Sequence, residues 1–225
     1  MTKRVISVFL CVLCVISSIS FIVSAKENKE YTSDNFLSVA DGIIAWKKAD
    51  NGSEPDGYLI NDKYLENAGT TPGDWYPIAL GRLGIQDNNE GYLAVIKDRV
   101  EERYRESGRL SAAKATEWHR IALAVLAMGG DPTNFGTDEN GAPINLIADG
   151  TYDRGKTTPL GRQGINGWIW GLITLDSMRY AVPDGAYNTR DDIIVEIISK
   201  QLSDGGFALS SDDADPDITE IGRAS

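Results

Sequence analysis

The chain has 225 residues and a formal net charge of −11 at pH 7, from 22 basic and 33 acidic residues. That balance excludes a general nucleic-acid binder and a protein drawn to anionic membrane, since both need a positive surface. The only cysteines are Cys11 and Cys14, so the rest of the chain can form no disulfide, thiolate metal site or cysteine nucleophile.

Residues 1–25 read as a secretory signal peptide. Lys3 and Arg4 give a basic start, residues 5–23 are apolar with scattered serines, and Val23-Ser24-Ala25 suits cleavage before Lys26. The alternative is an uncleaved anchor, because the apolar run is nearly long enough to span a bilayer. The leader holds two basic residues and no acidic one, so the remainder is more acidic still. A secreted or cell-surface location follows for residues 26–225, which are long enough for one self-sufficient core.

In chain order, Ser33 or Asp34 caps a helix to about residue 48, with Phe36, Leu37, Val39, Ile43 and Ile44 on its apolar face. Residues 58–67 are ambiguous. A second helix covers residues 72–84, with Asp74 as N-cap, Pro77 in the first turn and Gly84 as stop. Residues 92–107 form a charged surface helix with Tyr92, Val95, Ile96, Val100 and Tyr104 on one side. Residues 115–132 carry a full set of helix signals. Thr116 reads as the cap, Ile121 to Met128 run almost without polar interruption, and Gly129-Gly130-Asp131-Pro132 ends the helix. Such a helix is buried on nearly all sides. Long loops fill 131–141 and 150–164 around a short apolar piece at 144–148. A buried helix follows over 165–182, then an amphipathic one over 189–202. No period-2 strand pattern is present.

Trp118-x3-Ala122-Leu123 is echoed by Trp75-x3-Ala79-Leu80 and Trp168-x3-Leu172-Ile173. The spacings of 43 and 50 residues suit a repeat of two helices per unit. The fold expected is all-α, an incomplete α/α toroid of alternating inner and outer helices.

Gln201-Leu202-Ser203-Asp204-Gly205-Gly206-Phe207 resembles the Q-x(2–5)-G-x-aromatic repeat of squalene–hopene cyclases and protein prenyltransferases. With Asp74-Trp75, Thr116-Glu117-Trp118-His119-Arg120, Gly129-Gly130-Asp131-Pro132 and Gly164-Ile165-Asn166-Gly167-Trp168, the chain resembles secreted bacterial proteins with prenyltransferase/squalene-oxidase-type repeats. The resemblance implies an α/α toroid. Two departures bear on activity. Class II terpene cyclases use D-x-D-D, whereas this chain has Asp215-Pro216-Asp217-Ile218. Prenyltransferases need a zinc site from Asp, Cys and His, which a chain without cysteine after residue 14 cannot build. About three helix pairs and a fragment are present, fewer than the family's closed ring. The helix opening at Asp217 runs only to Ser225, so the expectation is a partial toroid, marginal or self-associating by itself.

Asp212, Asp213, Asp215 and Asp217 form an acidic cluster. Desolvated together they would raise one another's pKa, as a general acid requires. Their spacing does not match a calcium loop, and a solvated helix cap is the plainer reading. His119, the only histidine, and Arg120 are candidates for base and carboxylate clamp in a polysaccharide-active site, against a histidine bonded to a neighbouring loop. Trp75, Trp118, Trp168 and Trp170 are candidates for an aromatic cavity, although repetition at one position favours packing. Tyr76 and Asn166 are better placed to face a ligand. No metal or cofactor is implied. The reading is an exported toroid module that binds a small apolar or glycan ligand or acts as a cell-envelope scaffold, without catalysis. The alternatives are a terpene-cyclase-like enzyme with Asp217 as acid and a His119/Arg120 polysaccharide enzyme.

Overall fold

Apolar stripes at helical spacing produce helices throughout the computed structural model, which describes residues 33–111, 113–154 and 159–224. The helices are α1 (Ser33–Asn51), α2 (Asp62–Leu65), α3 (Thr71–Leu83), α4 (Asn89–Ser107), α5 (Ala115–Ala127), α6 (Ile165–Asp176), α7 (Arg190–Ser199) and α8 (Pro216–Ala224). A π-helical turn (Ala148–Tyr152) and a 3-10 turn (Leu160–Gln163) lie between α5 and α6. The protein is all-α; among the described residues the only bridge pairing joins Thr137 to Pro143. Residues 1–25, expected to be a signal peptide, lie outside the described residues, and among those described no helix is long and apolar enough to cross a membrane.

Two compact units divide at Trp46 and Lys47. The first unit contributes most of α1, where Phe36, Leu37, Val39 and Ile43 are exposed. The second holds every other element. Within it α5 packs against α3 on one side and α6 on the other, and α6 also packs against α7. The core is built from Leu80, Tyr92, Ile96, Ile121, Val125, Ile169, Leu175 and Ile193.

Two contacts fix how α3 meets α5. Asp74, near the start of α3, accepts from the Arg120 guanidinium at 2.8 Å. Gly81, near its end, lies so close to α5 that a Cβ there would fall on the Ala127 carbonyl. The start of α3 thus meets the first half of α5, and its end meets the end of α5, so the two run parallel. At the next boundary Thr116 at the start of α5 bonds Gln163 just before α6. Leu126 and Ile173, late in α5 and α6, line one groove, so α6 runs parallel as well.

The helix ends correct the sequence reading in three places. Asp74 is not a cap: the N-cap is Thr70, and Asp74 sits inside the helix, fully buried. Pro77 lies beyond the first turn, and the Gly73 carbonyl that its missing N–H would satisfy instead accepts from the Tyr64 hydroxyl at 3.0 Å. Lys114 rather than Thr116 occupies the N-cap of α5. The expected helix over 165–182 stops at Asp176, where Arg179 takes a left-handed φ of 54° and the Tyr180 N–H bonds back to the Leu175 carbonyl. This is a Schellman-type end without its usual glycine.

The Gly81 contact is directly testable. Alanine is the better helix former by about 1 kcal/mol, yet here its methyl would push α3 off the α5 backbone. Gly81→Ala should therefore lose about 2 kcal/mol net in urea unfolding; an unchanged midpoint would mean that the two helices are not in close contact.

Candidate functional site

The helices α3, α5 and α6 each carry a second stripe beside the one that faces the core. On α5 the core stripe is Ile121, Ala122, Ala124 and Val125, all buried, while Leu123 and Leu126 are only half-buried. On α3 the second stripe is Trp75, Ile78 and Arg82; on α6 it is Trp170 and Ile173, continued by Asp176 and Met178. Spacings of three, four and seven put each set on one helix face. Together they line a half-open groove of about 730 Å3, a volume suited to a small molecule.

The groove is concave. Its floor is α5, its walls are α3 and α6, and the Trp75 and Trp170 rings meet between the walls with centroids 5.7 Å apart, tilted at 51°. Trp75 is 42% exposed, so the pair presents ring surface to solvent as well as to itself. At the far end, where the three helices finish, stand Arg82 and Asp176. Asp176 accepts from Arg190 Nε and Nη2, at 2.8 and 2.7 Å, and these bonds hold its carboxyl below the usual range. Among the described residues Arg82 has no ion-pair partner.

The sequence-derived site residues divide sharply. Trp75 lines the groove. Tyr76, next to it, points the other way, edge-on to Tyr64 at 6.4 Å and under the Lys47 ammonium. Trp118 is 2% exposed, donates to the Tyr104 hydroxyl at 2.9 Å and lies 4.2 Å beneath the buried Arg154 guanidinium. Trp168 is half-buried against Gly161. The three tryptophans at the expected repeat positions thus occupy three different environments, and Trp75 and Trp118 are not equivalent. Asn166 is half-buried with an unpartnered Oδ1 and is not among the groove residues.

His119 and Arg120 are also taken out of ligand reach. His119 is fully buried and its Nε2 lies 2.9 Å from the Gly150 carbonyl, so Nε2 carries the proton. Gly150 permits this approach, because a Cβ there would overlap Trp118. Burial lowers the His119 pKa to about 3, so the ring is neutral at any ordinary pH. Arg120 is bonded to Asp74, Thr71 and the Gly69 carbonyl. Asp215 caps α8, accepting from the N–H groups of Asp217 and Ile218. Asp217 is exposed in the first turn, and no cluster of His, Cys, Asp or Glu able to hold a metal occurs among the described residues.

Sequence reasoning passed over Arg82, Ile78, Leu123, Leu126, Ile173 and Asp176. The available signal was the second apolar stripe shared by three helices. Comparison of the chain with family models, curated proteins and solved structures returns no match.

The buried histidine gives a pH signature. Its ordinary pKa of 6.5 falls to about 3 on folding, so below pH 6.5 the unfolded chain binds a proton that the native state refuses. Stability is full above pH 6.5 and is lost as pH falls toward 3. Between pH 7 and pH 5 the wild type should lose about 2 kcal/mol more than His119→Gln, which has no proton to gain. Urea unfolding at the two pH values measures this, and parallel losses would place the histidine in water.

Proposed function

We propose that the chain is a binding module of an exported protein and that the groove between α3, α5 and α6 holds its ligand. One observation carries the reading: two tryptophans meet across a concave apolar surface that no other described residue covers. Exposing that area costs roughly 25 cal/mol for each Å2 that could be buried, so a sequence that merely needed stability would fill it. Partly exposed tryptophans offer a flat ligand both contact area and an oriented π face.

The resemblance to prenyltransferase/squalene-oxidase-type repeats is part of this proposal. It is supported by three parallel helices side by side, with α4 between the first two in sequence. Export rests on the character of residues 1–25. A binding role is favoured over an enzyme because the groove's titratable groups are Arg82 and Asp176, and Asp176 is already held by Arg190. The histidine and Asp217 considered for catalysis lie elsewhere in the fold.

A neutral apolar fluorophore, N-phenyl-1-naphthylamine, tests the site. It should bind saturably, one per chain, and quench tryptophan emission. Trp75→Ala and Trp170→Ala should each weaken it about tenfold, the loss of one stacked ring. Val195→Ala, on the exposed face of α7, should not. Full affinity in both tryptophan variants would remove the groove as the site.

A further inference from the structure

The groove has two chemically different ends, and their difference specifies a ligand. One end is the Trp75–Trp170 pair and the middle is Ile78, Leu123, Leu126 and Ile173. The other end carries a guanidinium, Arg82, which among the described residues has no carboxylate partner. The acidic group on the facing wall, Asp176, is satisfied at both oxygens by Arg190. The polar end of the groove therefore offers one uncompensated positive charge on a chain of net charge −11.

Resting on the reading of the groove as a binding site, we propose that its ligand is an amphipathic monocarboxylate. The apolar body lies along α5 under the tryptophan pair, and the carboxylate pairs with Arg82. From Trp75 to Arg82 is seven residues of helix, about 10 Å at 1.5 Å per residue. That is the span of a medium-length alkyl chain or of two to three fused rings.

One effect opposes an anion. The parallel helices α3, α5 and α6 all end at this side, and each C-terminus carries about half a negative charge. Those partial charges are spread over carbonyls that already accept cap bonds, from Gly84 and Ile85 in α3, from Gly130 in α5 and from Tyr180 in α6. Arg82 itself stands in the last turn of α3, where it offsets that helix end. A guanidinium carries a whole charge and meets a carboxylate with two parallel hydrogen bonds. The planar, bidentate contact outweighs helix-end charges that are screened within a turn.

Three probes with one body and three heads separate the terms: decanoate, decanamide and decylammonium, titrated into the full chain by tryptophan fluorescence. Decanoate should bind at least tenfold more tightly than the other two. Arg82→Gln should weaken decanoate about tenfold and leave decanamide unchanged, which also shows that the variant is folded. Equal affinity for decanoate and decanamide, tighter binding of decylammonium, or an unaffected Arg82→Gln would overturn the carboxylate proposal while leaving the groove as a site. If no probe binds and naphthylamine binding ignores Trp75→Ala, the groove itself is refuted as the site.

Discussion

The carboxylate of Asp74 is the point on which the arrangement of helices depends. It has no exposure to solvent, yet it accepts from the Gly69 N–H at 2.7 Å, the Tyr92 hydroxyl at 2.7 Å and Arg120 at 2.8 Å. These donors come from the loop before α3, from α4 and from α5. Burial pushes the carboxyl above its ordinary pKa, and the bonds from Arg120, Tyr92 and Gly69 pull it back. Arg120 completes its own donors on Thr71 and the Gly69 carbonyl. Each group in the network is paid for only when the others are present, which makes the pairing of α3 with α5 nearly all-or-none.

That pairing sets the groove. Holding α3 parallel to α5 turns Trp75, Ile78 and Arg82 onto the same side as Leu123 and Leu126. Parallel packing of α6 then brings Trp170 and Ile173 to the opposite wall. An antiparallel neighbour would place the tryptophan of one wall beside the charged end of the other. The chemical polarity of the groove, aromatic at one end and charged at the other, is a consequence of helix direction.

Much of the fold was legible because it rests on local patterns. The apolar run from Ile121 to Met128 specified α5 but not its burial on nearly all sides, since Leu123, Leu126 and Ala127 stay half-buried along the groove, and the amphipathic pattern over 189–202 specified α7. The Thr189–Asp192 capping box marks its start. Asp74 was misread because a carboxylate early in a helix usually caps it; its burial depends on Tyr92 and Arg120, 18 and 46 positions away. The end of α6 was misplaced because Arg179 takes a conformation that normally announces itself as glycine. The groove was hidden for a related reason. Trp75, Leu123 and Trp170 look like core residues in sequence, and only the parallel packing shows that theirs is the stripe the other described residues leave open. His119 was noticed as chemically capable, but sequence carries no measure of desolvation, and desolvation decides its state.

The central claim is that a coupled, buried Asp74–Arg120 pair holds α3 against α5. A double-mutant cycle with Asp74→Asn, Arg120→Met and the double variant, followed by urea unfolding, tests it most directly. Each single variant strands a buried partner and should lose about 3 kcal/mol, while the double variant should lose clearly less than the sum, with a coupling of about 2 kcal/mol. Additive losses, with no coupling beyond about 0.5 kcal/mol, would show that the two side chains do not meet and that another contact sets the direction of α3.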